Sequence, residues 1–343
     1  MTTIFSTSNL SLEAELAAAI NNKTKPLGSL GRLEQLAAQI GLIQQTTKPV
    51  LQAPAIIIFA GDHGVVAEGV SAFPQDVTWQ MVENFLADGA AINVFARQNG
   101  IALHIVDAGV NHEFGTREKL QNKKVANGTR NFAQEPAMTS EQCQAAMQNG
   151  RDLVASLAGN VLGFGEMGIG NTTAAAAIMH KLTGIAVADC VGAGTGLSKE
   201  GISHKQAVIE KAVALHAGIH KPEEVLATFG GFEIASMVGA MLAAAERRMV
   251  LLIDGFIVTS AVLVAAKIEP AILDYCVFSH QSDESGHARM LQALQVKPVL
   301  QLDLRLGEGT GAALVYPMLL AAVNFLNQMA TFASAQVSEK SSD

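Results

Sequence analysis

Six short apolar runs, each giving way to glycines or acids, constrain this chain more than any other feature. They are AIIIFA (55–60), IALHIV (101–106), NVLGFG (160–165), MVLLID (249–254), CVFSH (276–280) and VLQLD (299–303). Brief apolar runs separated by longer stretches of helical periodicity are the pattern of parallel strands buried on both faces. The expectation is therefore an α/β fold, a Rossmann-like parallel sheet of about six strands flanked by helices. Right-handed crossovers bring the C-terminal ends of all such strands to one edge, where ligands bind. The segments that follow the runs are GDHGVVAEGVS, DAGVNH, EMGIGNTT, DGF, QSDESGH and LRLGEGTG, so glycines, carboxylates and histidines converge on one crevice.

Two helices are expected before the first strand. SLEAELAAAI is one; in the other Leu30, Leu33, Leu36, Ala37, Ile40 and Ile43 recur at helical spacing, with Ser29 where an N-cap belongs. A long apolar helix is expected over 310–333. Residues 1–47 and 310–343 then read as a small helical lobe plus a flexible tail, ASAQVSEKSSD, and residues 48–309 as the α/β domain.

Composition excludes some functions. The 343 residues, 49% hydrophobic, can bury a large core. With 23 basic against 31 acidic side chains, a formal charge of −8 and no basic stripe, nucleic acid is not an expected partner. Cys143, Cys190 and Cys276 are widely spaced, odd in number and without C-x-x-C spacing, which fits a reducing cytoplasm. MTTIFSTSNLSLEAEL lacks a basic start followed by an apolar run, so no signal peptide is expected. The longest apolar run, 312–323, contains Pro317 and is too short for a membrane span.

GFGEMGIGNTT (163–173) fits two phosphate-binding patterns and completes neither. From Gly163 it is G-x-G-x-x-G, with Asp189 at the separation of a ribose-binding acid, yet Glu166 stands where a pyrophosphate would lie. From Gly165 it is a triphosphate loop with Asn171 in place of lysine. What survives is a glycine-rich strand-to-helix turn whose exposed N–H groups, helix N-terminus and Thr172 and Thr173 hydroxyls suit a monophosphate. VGAGTGLSKEGISHK (191–205) brings Lys199 and Lys205, of which Lys205 is the better candidate for the missing cation. Asp62, His63, His112, His280, Asp283 and His287 could be imagined as metal ligands, but none has recognised spacing. LDLRLGEGTGAAL (302–314) sets Glu308 between two glycines after Arg305; withdrawn from water, such a carboxylate would become a useful general base, or it stabilises a helix N-terminus.

Together KTKPLGSLGRLEQLA (23–37), FAGDHGV (59–65), GVSAFPQDVT (69–78), GEMGIGNTT (165–173), GTGL (194–197), DGF (254–256), SHQSDESGH (279–287) and LDLRLGEGTGAAL resemble the nicotinate-nucleotide:dimethylbenzimidazole phosphoribosyltransferases, in order and over nearly the whole chain. The resemblance implies transfer of a 5-phosphoribosyl group from nicotinate mononucleotide to 5,6-dimethylbenzimidazole, by direct displacement with inversion and with Glu308 as base. It implies an aglycone site at Ser71, Gln80 and Met81. For the phosphate and ribose it implies Glu166, Gly168, Gly170, Asn171, Thr172 and Lys205, completed by Ser282 and Arg305. It implies no metal or organic cofactor, a small lobe built from both chain ends, and a homodimer. A NAD-dependent oxidoreductase and a non-catalytic nucleotide-binding protein remain as alternatives.

Overall fold

A computed structural model describes residues 3–192 and 196–338. Gly194 and Thr195 of GTGL, and 339–343 of the expected tail, lie outside the described residues.

The strands are β1 (Ala55–Gly61), β2 (Ala102–Gly109), β3 (Leu120–Asn122), β4 (Val161–Met167), β5 (Val250–Ile253) and β6 (Cys276–Phe278). They form one parallel sheet in the order β3-β2-β1-β4-β5-β6. Every residue of β1 and β5 is buried, as strands covered on both faces must be. The chain steps outward from β1 in one direction and from β4 in the other. Right-handed crossovers therefore put the two sets of helices on opposite faces and leave a crevice between the ends of β1 and β4.

Among the described residues there are six strands, but not the six read from the sequence. VLQLD does not form a strand: it makes an isolated bridge, Leu300 to His280. Pro298 lacks an N–H, Asp303 turns to φ +54°, and Leu302 is half exposed, so the run leaves the sheet edge at once. The sixth strand is β3, three residues, LQN, too short and polar to announce itself.

Two helices, Leu10–Asn21 and Arg32–Gln44, do precede the sheet. The second starts three residues after Ser29 and is capped otherwise than expected. Its N-cap is Gly31 at φ +53°, which supplies no side-chain bond, while Glu34 reaches back to accept Leu30 N at 2.9 Å and pairs with Lys25 at 2.8 Å. The long C-terminal helix runs Thr310–Gln328 and stops before 333, because Met329 turns extended and a short helix, Phe332–Ala335, follows. That turn carries the chain back to its beginning: Lys23 bridges Thr331, and Lys23 Nζ donates to Met329 O at 2.8 Å. Thr310–Gln328 is long and apolar enough to cross a membrane by length and composition, yet over half of it is buried inside the molecule.

The helices Ser140–Ala155 and Phe232–Glu246 cross at reciprocal glycines. A side chain on Gly150 would strike Ser236 O, and one on Gly239 would strike Met147 O, so the two backbones touch. The second helix packs along β1, β2, β4 and β5 and delivers Glu233 in its first turn beneath the crevice.

Candidate active site

At the end of β4 the chain passes through Gly168 and Gly170, the latter at φ +95°, and enters the helix Asn171–Thr183. The N-cap glycine has no side chain to offer the first N–H groups, so this helix end is open to an acceptor. Beside it lies a cavity of about 80 Å³ lined by Glu166, Gly168, Asn171, Thr172, Ser282, Arg305 and Glu308, together with apolar groups such as Phe256 and Leu306. Seven residues singled out in the sequence, from three separate segments, thus share one space. The space is smaller than a whole nucleotide needs and is partly open to solvent.

Glu308 occupies an unusual turn. Gly307, Glu308 and Gly309 have φ of +80°, +63° and +83°, three successive left-handed residues, of which only the two glycines adopt that region freely. The side chain is buried, and its Oε2 has no hydrogen-bond partner among the described residues. Burial, reinforced by the nearby Asp254 charge, pushes its pKa up to about 7. The turn is backed by β4 at its closest approach: a Cβ on Gly165 would lie 2.5 Å from Glu308 O. Gly165 therefore serves the Glu308 turn rather than a phosphate.

Asp254 follows β5 and grips the other side of that turn. Its Oδ2 accepts Gly309 N at 3.1 Å, and its Oδ1 accepts Gly311 N at 2.7 Å and Ala312 N at 3.2 Å. His280 Nε2 stands 3.5 Å from Oδ1.

Glu166 is buried and accepts a hydrogen bond from Asn171 Nδ2. Burial first, then the charges of Asp254, Glu233 and Glu308, raise its pKa well above the ordinary carboxylate range, against a bond from the Glu308 backbone. Glu233 is fully buried 2.6 Å from His63 Nε2, and Gly61 and Gly231 leave the room that this pair occupies. Burial thus holds Glu166 toward its neutral form, so it enters the site as a hydrogen-bonding group rather than as a full charge.

Lys205, in the helix Lys199–Leu215, does not line the cavity but lies directly behind it, its Nζ donating to Thr172 Oγ1 at 2.7 Å. Burial lowers its pKa to about 8, opposed by Glu284. Ser282 is held by His287, whose Nδ1 accepts Ser282 N at 2.8 Å while Nε2 faces Thr259 Oγ1 at 2.9 Å. Burial and the neighbouring His280 lower the His287 pKa to about 3, so this ring is neutral and fixed in one tautomer.

The remaining candidates sit elsewhere. Ser71, Gln80, Met81 and Gly170 are not part of the cavity lining. Gln80 is exposed and Met81 half-buried on the helix Val77–Leu86, whose Thr78 Oγ1 accepts Ile169 N at 3.0 Å and so ties it to the rim. Asp189 pairs with Arg289 at 2.9 Å, half exposed, away from the glycine loop. His112 stacks on Trp79, with ring centroids 4.6 Å apart.

A family model described as phosphoribosyltransferase matches residues 6–337. The chain belongs to this phosphoribosyltransferase family. A relative from Janthinobacterium sp. (strain Marseille) is 69% identical over 343 residues, covering 99% of each chain, and one from Dechloromonas aromatica (strain RCB) is 59% identical, covering 96% of each. Both are named nicotinate-nucleotide–dimethylbenzimidazole phosphoribosyltransferase. Among solved structures, CobT from Thermus thermophilus superposes with a TM-score of 0.93 at 43% identity, covering 96% of this chain and 100% of that one. The family match takes in both N-terminal helices, the sheet and the C-terminal helix, so fold and loop set belong to this phosphoribosyltransferase as a whole.

Three residues of this site went unread in the sequence. Glu233 lies in none of the sequence motifs, while Asp254 and His63 fall in the DGF and GDHG loops at the crevice without a role of their own. A hint for Asp254 was available, since an acid closing a fully apolar run at a strand end is well placed to meet a helix N-terminus.

Proposed function

We propose that this chain transfers the 5-phosphoribosyl group of nicotinate mononucleotide to 5,6-dimethylbenzimidazole, giving α-ribazole 5′-phosphate and nicotinate. The observation that carries this reading is Glu308: a buried carboxylate with a bare oxygen, titrating near neutrality, on the wall of a cavity that also opens on the Asn171–Thr183 helix terminus. In the transfer, a benzimidazole nitrogen forms the new bond to C1′ as the bond from C1′ to the pyridinium nitrogen breaks, its electron pair leaving with neutral nicotinate. The proton of the attacking nitrogen goes to Glu308. Attack opposite the leaving group converts a β- into an α-glycoside. Because the donor carries its positive charge on the ring that leaves, the carboxylates of Glu233 and Asp254 favour the charge shared by ring and C1′ as the bond stretches, while Glu166, held toward its neutral form by burial, offers a hydrogen bond.

In this reading the donor phosphate meets the loop Gly168–Thr172, with Gly170 shaping the turn, Lys205 supplying charge through Thr172, and Ser282 and Arg305 on the facing wall. The acceptor lies toward Ser71, Gln80 and Met81 at the rim, next to the helix anchored on Ile169. Residues 1–47 and 310–343 act as a small lobe, 48–309 as the catalytic domain, and two copies assemble as a dimer in a reducing cytoplasm, in keeping with three buried, unpaired cysteines. Incubation of the protein with nicotinate mononucleotide and dimethylbenzimidazole, followed by chromatography, tests the proposal. Release of nicotinate matched by ribazole phosphate supports it; binding of the nucleotide without turnover overturns it. The dehydrogenase alternative is disfavoured because Asp189, its candidate ribose acid, does not line the cavity and pairs with Arg289 at the surface.

A further inference from the structure

We propose that Asp254 is the positioning residue for the base Glu308, fastening the left-handed Gly307–Glu308–Gly309 turn to the end of β5 and standing as a fixed negative charge behind it. The inference rests on the transferase reading above and concerns a residue to which that reading gives no individual geometric task.

The geometry begins with what the turn lacks. A non-glycine residue at φ +63° between two left-handed glycines does not hold that shape unaided, and such conformations persist where their surroundings over-determine them. One constraint is β4, whose Gly165 abuts Glu308 O. The other is Asp254. The helix Thr310–Gln328 receives no side-chain cap from its own N-cap residue, Gly309. Asp254 caps it from another strand, with three N–H groups directed at its two oxygens: Gly309 on one, Gly311 and Ala312 on the other. The bonded positions begin immediately after Glu308, so the direction of the Glu308 side chain is set by a carboxylate that is itself buried and holds three backbone N–H groups. Gly311 is part of the same fit, since a side chain there would collide with Asp254 and with His280.

The charge has its own consequence. The titratable groups around the pair are Glu166 on β4, Glu233 in the Phe232–Glu246 helix, His280 and His287 after β6, Glu284 with Lys205, and Arg305 in the loop of Glu308 itself. Burial is the larger cause of the raised Glu308 pKa, and Asp254 adds to the cost of ionising it, which leaves the group basic enough to take a proton once ionised. An asparagine at 254 would retain one acceptor oxygen but turn an N–H₂ toward a backbone N–H, and would remove the charge.

The experiment measures kcat and both KM values of wild type, Asp254→Asn and Asp254→Glu between about pH 5 and 9 with the two substrates. For Asp254→Asn the expected result is a kcat lower by about 10- to 100-fold, KM values changed by less than about threefold, and an acid limb displaced downward by about one pH unit. Asp254→Glu keeps the charge on a longer arm and should lose kcat while its acid limb stays in place. A wild-type kcat in either variant overturns the positioning role, as does an Asp254→Asn profile lowered uniformly with its acid limb unmoved. Should Asp254→Asn not fold, the Asp254→Glu result decides. Wild-type protein that forms no ribazole phosphate overturns the transferase reading itself, whereas active wild type with indifferent variants overturns only the role of Asp254.

Discussion

Lys205 Nζ donates to Thr172 Oγ1 at 2.7 Å and joins the helix Lys199–Leu215 to the first turn of Asn171–Thr183. A buried ammonium held one hydroxyl away from an uncapped helix terminus is placed for a phosphate. Lys205→Met removes a charge that acts through Thr172 and should weaken nicotinate mononucleotide by about 3- to 10-fold, on the order of the net worth of one hydrogen bond. The corresponding riboside, which has no phosphate, should bind both proteins alike. Because burial lowers the Lys205 pKa to about 8, wild-type affinity for the mononucleotide should decline as pH rises past 8. Titration calorimetry with the two ligands checks both statements, and equal losses for riboside and nucleotide would remove the phosphate role.

Glu308 should trade stability for activity. Its folded pKa of about 7 lies above the unfolded value of 4.5, so the folded chain holds this proton more tightly. The resulting stabilisation is complete below pH 4.5 and is lost as pH climbs to 7. Glu308→Gln has no such loss. The variant should be nearly inactive, yet above pH 7 it should gain on wild type by about 2–3 kcal/mol relative to the difference between them at pH 4.5. Urea unfolding at the two pH values measures this, and a pH-independent difference would contradict it.

His63 and Glu233 form a pair with no access to solvent. His63→Ala leaves a buried carboxylate without its partner and should cost about 3–5 kcal/mol. Replacing both at once, His63→Leu with Glu233→Met, should recover much of that loss because no charge remains to be desolvated. Chemical denaturation of the two proteins distinguishes them; a double variant no more stable than the single one would show that packing, not charge, governs the pair.

Gly165→Ala tests whether strand β4 sets the Glu308 turn. The added methyl meets Glu308 O at 2.5 Å, Glu308 C at 2.6 Å and Gly309 N at 2.8 Å, none of them a flexible group. The turn has to move. We expect turnover to fall at least about tenfold while stability drops by only about 1–3 kcal/mol. Steady-state kinetics on the folded variant decide the matter, and unchanged turnover would mean the turn tolerates displacement.

The sequence was informative where one-dimensional pattern and three-dimensional role coincide. Runs such as AIIIFA and MVLLID are strands because burial on both faces demands unbroken apolar character. GEMGIGNTT and GEG stand out because left-handed turns and tight backbone approaches both require glycine. VLQLD misled because three apolar residues in five satisfy the same rule, although the backbone turns away at Asp303. LQN escaped because a three-residue edge strand needs no apolar run. The burial of Glu233 has no local signal, because its partner is a histidine from a distant segment, whereas Asp254 leaves only the hint of an acid closing an apolar run.

The touching backbones at Gly150 and Gly239 give the site a remote dependence. Gly239 is six residues beyond Glu233 on one rigid rod, roughly 9 Å along its axis. A methyl group added there would push the rod away from Met147 and shift Glu233 relative to His63 and Gly61, which belong to the β1 end of the sheet. Selection on the chemistry of this protein therefore reaches a residue that no ligand can touch, and the tolerance of the site to drift is set partly on the far side of the sheet.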